Sequence, residues 1–200
     1  TRTAEDVARE VLRDLPFYRN GGGVTFSGGE PLLQSAFVEE TARRVREESR
    51  GQELTVAVDT ALFVPWTSVE QTLPCTDLFL VDCKAVTPAL HRRGTGQGNE
   101  RILENLRLLD GLGKEIVLRC PIIPGLNDRA DHFTAVARLA DSLKNVQGID
   151  VEPYHPLGKT KCENLGRDYP LAALSFPDKA QVQAWIDALA AQTHVPVRQG

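Results

Sequence analysis

GGGVTFSGGEP, residues 21–31, decides the fold. Val24, Thr25 and Phe26 are strand formers, which a solvated linker would not hold together. A phosphate loop would finish in Gly-Lys-Ser or Gly-Lys-Thr, or space its glycines as GxGxxG, and this stretch does neither. What remains is a short buried strand that breaks sharply after Ser27, so that bare backbone at Gly28 and Gly29 and the Glu30 carboxylate face something small. Pro31 starts the following turn with a preset φ.

Outward from this strand the chain alternates. Thr3 followed by Asp6 predicts a capped helix whose apolar face is Val7, Val11, Leu12 and Leu15. After strand 24–27 the pattern predicts helix 35–49, strand 54–58, helix 64–73 and strand 77–82. Helix 99–112, strand 115–121, helix 130–144 and strand 149–153 follow, then an irregular stretch 155–177, helix 178–191 and a short strand 195–197. Six strands alternating with helices make an α/β protein with a parallel sheet, open or wound toward a barrel. No repeat or linker divides residues 1–200, so one domain is expected.

Bulk properties narrow the function. With 42 % apolar and 25 % charged residues the composition is that of an ordinary soluble globular protein. A net charge of −4 and no basic run argue against nucleic acid and anionic membranes as partners. No apolar run approaches the roughly 20 residues of a bilayer span, and no signal peptide opens the chain, so a cytoplasmic location is expected. The chain has no methionine, at position 1 or elsewhere, and is expected to be a fragment of a longer protein. Cys75, Cys83, Cys120 and Cys162 form neither a CxxC pair nor a zinc pattern and read as free thiols, with no metal site.

The five main strands share a register: each ends in polar residues. These are Ser27-Gly28-Gly29-Glu30, Asp59-Thr60, Asp82 with Lys84, Arg119, and Tyr154-His155. In parallel α/β folds the C-terminal strand ends lie at one rim, where ligands bind. If Lys84 continues its strand, Asp82 and Lys84 project from one face, a carboxylate and an ammonium together. Asp59 and Asp82 are expected on neighbouring strands. Two carboxylates about 4 Å apart repel by about 4 kcal/mol at an effective dielectric of 20, so a cation, metal or ligand ammonium, is expected between them. The rim suits an amino-acid head group held against bare glycine backbone.

On these residues the sequence resembles the radical S-adenosylmethionine enzymes, and among them the activating enzymes of glycyl radical enzymes, typified by pyruvate formate-lyase activating enzyme. The matching segments are GGGVTFSGGEPLLQ (21–34), VDTALF (58–63), DLFLVDCK (77–84), HRRGTGQGNERILENLRLL (91–109), LRCPIIPGLND (118–128) and EPYHPLGKTKCENLG (152–166). The resemblance implies a partial (β/α)6-type parallel barrel, here lacking the first strand and the cluster loop. It implies that S-adenosylmethionine is bound by Gly28, Gly29 and Glu30 at its amino group, and by Asp59, Thr60 and Asp82 along the methionyl end. Lys84 would take the carboxylate and His155 would lie near the ribose, with Arg119 and Tyr154 placed for contacts to the ribose or to the partner peptide. The full-length enzyme would cleave S-adenosylmethionine reductively to a 5′-deoxyadenosyl radical, install a glycyl radical on a partner enzyme, and take electrons from a flavodoxin or ferredoxin.

Three departures from the family pattern matter. Ala61-Leu62 stand where relatives carry Asn-Gly or Ser-Gly, and Cys162 stands where relatives often carry an aromatic residue. The CxxxCxxC motif that holds the [4Fe–4S] cluster is absent, so no catalytic side chain is assigned. The chain alone is therefore expected to bind no cluster and to be inactive. Strand 24–27 is expected to be an unpaired sheet edge, prone to pair with another chain. Two other readings stand beside this one. One is a radical S-adenosylmethionine enzyme acting on a small molecule; the other is a cluster-free module that binds a nucleotide or amino acid.

Overall fold

The computed structural model describes residues 2–18, 22–49, 51–155, 166, 171 and 174–200. Cys162 and most of the expected irregular stretch lie outside them. The expected α/β class with parallel strands is present: six strands form one sheet in chain order, β1 (Gly23–Phe26), β2 (Thr55–Thr60), β3 (Leu78–Asp82), β4 (Glu115–Ile122), β5 (Val146–Pro153) and β6 (Val197–Gln199). The described residues fall into two compact units. None of their helices is long and apolar enough to cross a membrane.

The first unit contains β1, β2, β3 and helices α1 (Ala4–Arg13), α2 (Ser35–Glu48), α3 (Trp66–Thr72) and α5 (Glu100–Gly111), with the first residues of β4 and β5. Helix α1 starts on the expected capping box: Asp6 N–H donates to the Thr3 hydroxyl, and Thr3 N–H donates to the Asp6 carboxylate. Those bonds hold the Asp6 carboxyl below the usual carboxylate range. Ala8 packs with Val45 and Leu54, and Val11, Leu15 and Tyr18 close around them. Strand β1 stands at one edge of the sheet, its partner strand being β2. Gly23 is opposite Thr55, and a Cβ there would lie 1.8 Å from the Thr55 carbonyl oxygen, so only glycine permits this approach. Strand β2 runs two residues past the expected end because the alternation continues: Val56, Val58 and Thr60 are all buried on one face.

The second unit contains α4 (Pro88–Thr95), α6 (Ala130–Asp141), α7 (Lys179–Ala190), most of β4 and β5, and β6. Helix α4 is absent from the sequence reading. Only His91 is buried along it, so it shows no apolar period. Helix α6 stops three residues early, at Ser142, whose hydroxyl donates back to the Leu139 carbonyl. Strand β6 lies two residues later than expected, since Arg198 pairs with Asp150 across the parallel ladder at 2.7 Å. Its polar end, Arg198 and Gln199, gives no hydrophobic alternation to mark the boundary.

Candidate functional site

In the first unit the glycine tip follows directly from β1. Gly28 has φ +130°, a conformation L side chains rarely adopt, so the sharp break needs glycine. Gly29 has no such φ, and a Cβ on it would meet no protein atom within 4 Å. Neither backbone strain nor packing accounts for a glycine at 29; open backbone does. The Ser27 hydroxyl donates to Asp59 at 2.9 Å, tying the tip of β1 to β2. Asp59 is aligned with Leu80 of β3, and Leu80 and Asp82 share a face by alternation. Asp59 and Asp82 therefore lie on one face of neighbouring strands, as expected.

Glu30 is the hub of this tip. Its carboxylate accepts from Leu32 N–H at 3.2 Å, from the Thr60 hydroxyl at 2.7 Å and from Ala61 N–H at 3.0 Å. The first bond caps the short 3-10 turn Pro31–Gln34, and the other two fix the end of β2. Thr60, 2 % exposed, in turn accepts from Leu62 N–H at 2.9 Å. Leu62 has φ +55°, a left-handed conformation unusual for a bulky residue and costing of order 1–3 kcal/mol. The sequence departure at 61–62 thus has a physical answer. Leucine occupies the left-handed position, and full burial, Thr60 and the Asn105 amide compensate.

The Asn105 amide donates to the carbonyls of Leu62 and Val64, both at 3.0 Å. Asn105→Ala leaves both carbonyls short of a donor and is expected to cost about 1–2 kcal/mol, read as a lower thermal midpoint. An unchanged midpoint would mean that the Leu62 turn holds itself.

In the second unit, Lys84 does not continue the strand. β3 ends at Asp82 and Lys84 sits in a bend, so strand alternation does not place its side chain beside that of Asp82. The bend is tied down by Cys83 N–H donating to the Arg119 carbonyl at 2.7 Å and by the Asn127 amide donating to the Lys84 carbonyl at 3.1 Å. Arg119 forms an ion pair with Glu152 at 2.7 Å, both side chains about three-quarters buried. The sequence reading missed Glu152; its signal was the period-2 position two before Tyr154. Tyr154 is buried and its hydroxyl donates to the Leu171 carbonyl, while His155 is exposed. Arg119 and Glu152 share this unit with Lys84, Tyr154 and His155; Gly28, Gly29, Glu30, Asp59, Thr60 and Asp82 belong to the other.

Cluster ligands do not emerge from the described residues. No group of three or more His, Cys, Asp or Glu side chains is arranged to hold a metal ion among them. Cys75, Cys83 and Cys120 are each buried and unbridged, and burial pushes the Cys75 thiol up, away from the thiolate a cluster needs. No iron–sulfur chemistry is assigned to these residues.

The parallel sheet carries at its strand ends a glycine tip and, on one face of neighbouring strands, Asp59 and Asp82. The model of the Radical SAM superfamily matches residues 1–139, and the chain belongs to that family. Curated relatives narrow it to the activating enzymes of glycyl radical enzymes. The chain is 39 % identical over 190 residues to the indoleacetate decarboxylase activating enzyme of Tractidigestivibacter scatoligenes, covering 94 % of this chain and 59 % of that protein. It is 35 % identical over 184 residues to the pyruvate formate-lyase-activating enzyme of Streptococcus mutans, covering 91 % and 70 %. Among solved structures, a domain of pyruvate-formate lyase-activating enzyme from Bacteroides vulgatus superposes with TM-score 0.71 at 26 % identity, covering 90 % of this chain and 99 % of that one. The chain spans 55–61 % of the length of the first curated relatives it matches.

Proposed function

We propose that this chain supplies the S-adenosylmethionine-binding strand tips of an activating enzyme that installs a glycyl radical on a partner enzyme. One observation carries the reading: the open backbone of Gly28-Gly29 next to Asp59, with Asp82 on the same sheet face. That arrangement offers carbonyls and carboxylates to a small cationic head group, and the ammonium of S-adenosylmethionine is one. Gly28, Gly29 and Glu30 would hold the amino group, with Glu30 oriented by the three donors it already accepts. Asp59, Thr60 and Asp82 would line the methionyl end, Thr60 mainly by positioning Glu30. Of the second unit, Lys84 is carried over from the family motif as ligand of the carboxylate, His155 of the ribose, and Arg119 of the ribose or the partner peptide.

The family implies a [4Fe–4S] cluster as the source of the reducing electron, with flavodoxin or ferredoxin as donor, and a glycine loop of the partner as substrate. In this reading the described residues contribute binding and orientation. Asp59→Asn and Asp82→Asn are each expected to weaken S-adenosylmethionine binding to the chain about tenfold, the worth of one charge-assisted hydrogen bond. Isothermal titration measures it, and unaltered affinity in both variants would remove the methionyl assignment. The full reading is tested on the complete protein, reconstituted anaerobically with iron and sulfide. It should generate a glycyl radical signal on a partner enzyme, and a protein that consumes S-adenosylmethionine without ever doing so belongs to another branch.

A further inference from the structure

The second unit holds a cavity of about 210 Å³ walled mainly by Leu90, His91, Gly94, Pro121, Ile123 and Leu126. Of its lining residues the proposed function uses Lys84 alone. Three features suggest a built site rather than a packing defect.

The first is His91, which is 5 % exposed. Its Nδ1 lies 2.8 Å from the Gln97 carbonyl oxygen, and a carbonyl only accepts, so Nδ1 carries the proton. In the neutral ring Nε2 is then a bare acceptor, and no described residue donates to it. The Asn127 and Thr95 side chains on the wall are committed elsewhere. The Asn127 amide donates to the Pro121 and Lys84 carbonyls and its oxygen accepts from Ile123 N–H, while the Thr95 hydroxyl donates to the His91 carbonyl.

The second is Gly94. It sits inside helix α4 without a positive φ, and a Cβ there would make only an ordinary 3.7 Å contact with Leu126 Cδ2. A glycine inside a helix costs roughly 0.5–1 kcal/mol relative to alanine. No local geometry requires it, and its lack of a side chain keeps the cavity open on the face it shares with Leu90, four residues back.

The third is rigidity. Asn127 clamps the turn that carries Ile123 and Leu126, and Gly125 N–H donates to Asp128 at 2.7 Å within it, so the wall is preformed.

Size then selects the ligand. An apolar cavity of about 150 Å³ takes benzene, whereas drug-sized ligands need about 300 Å³ or more, so 210 Å³ suits one substituted ring. A rigid ring loses little freedom on binding, and Lys84, which also lines the cavity, favours an aromatic face over an aliphatic chain. We propose that this cavity binds a single aromatic ring bearing one O–H donor, a phenol, with the hydroxyl donating to His91 Nε2. The same ring could arrive free in solution or as a tyrosine side chain of a peptide.

The test is methyl-resolved NMR of the 200-residue chain titrated with p-cresol, toluene and N-acetyl-tyrosinamide. p-Cresol should give saturable shifts at the Leu90, Ile123 and Leu126 methyls. Toluene, the same shape without the donor, should bind about fivefold more weakly. Gly94→Leu fills the cavity with a better helix former and should abolish the shifts while the remaining spectrum stays native. N-acetyl-tyrosinamide binding at least as well as p-cresol assigns the site to a peptide side chain; its exclusion assigns it to a free phenol. No saturable shift in the wild-type chain, or equal affinity for toluene and p-cresol, overturns the proposal.

Discussion

Glu30→Ala lowers the thermal midpoint by roughly 5–10 °C, the equivalent of about 2–3 kcal/mol in a chain of this length. The residue is half-buried, and its removal strands three donors at once: Leu32 N–H, the Thr60 hydroxyl and Ala61 N–H. Thr60 can turn its hydroxyl elsewhere, but the Ala61 amide cannot, so most of the cost falls on the end of β2. Loosening that end also releases Leu62 from φ +55°, which recovers part of the loss. Glu30→Gln should rescue less than half. A carboxamide has one acceptor oxygen, so it satisfies Thr60 or Ala61 and turns an N–H toward the other. Differential scanning calorimetry of the three proteins decides it. A wild-type midpoint in Glu30→Ala would show that the carboxylate is held only for a ligand.

The second large effect is a pH dependence set by His132. This side chain is 1 % exposed in the first turn of α6, and neither ring nitrogen has a hydrogen-bond partner among the described residues. Burial lowers its pKa from 6.5 to about 4, with Asp131 partly opposing and Arg129 adding to the shift. In the unfolded chain the ring takes up its proton near pH 6.5, whereas in the folded chain it does so only near pH 4. Folding stability from this residue is therefore complete above pH 6.5. It drains away as the pH falls toward about 4, by about 3 kcal/mol in all.

His132→Phe removes the titration and the two unpartnered nitrogens together. At pH 5 the variant should exceed the parent by about 2 kcal/mol more than it does at pH 7.5. Surface carboxylates such as Asp131, held low by Arg129, titrate in both proteins and cancel in the difference. Urea unfolding at the two pH values measures it. Parallel curves for parent and variant would mean that the ring meets water or a donor in solution.

How much of this was readable beforehand varies by element. The start of helix α1 was legible to the residue because Thr3 and Asp6 act within one turn, whereas its end falls at Arg13, before Leu15 and Pro16. The parallel strands were legible because β-branched runs recur between helices. Helix α4 was not, since its reason to form is a single buried histidine and a left-handed Gly96 that stops it. Strand β6 was legible as a strand but two residues too early, since its polar residues Arg198 and Gln199 pair with β5 without an apolar signal. At the site, the sequence named Gly28, Gly29, Glu30, Asp59 and Asp82 from their positions at strand ends, but put Lys84 on the face of Asp82 only on the condition that it continued the strand, which it does not.

Order along the chain, strand identity and the chemistry available at strand ends follow from amino-acid type and local spacing, because propensity, capping and glycine geometry act over a few residues. What each polar group does with its hydrogen bonds does not follow from spacing. Glu30 serves Thr60 and Ala61 thirty residues away, Asn105 buttresses Leu62, and His91 keeps a ring nitrogen to which no described residue donates, beside a cavity that Gly94 leaves open. Those pairings are set only when distant segments pack and water is excluded, since only then must every buried donor and acceptor find its partner.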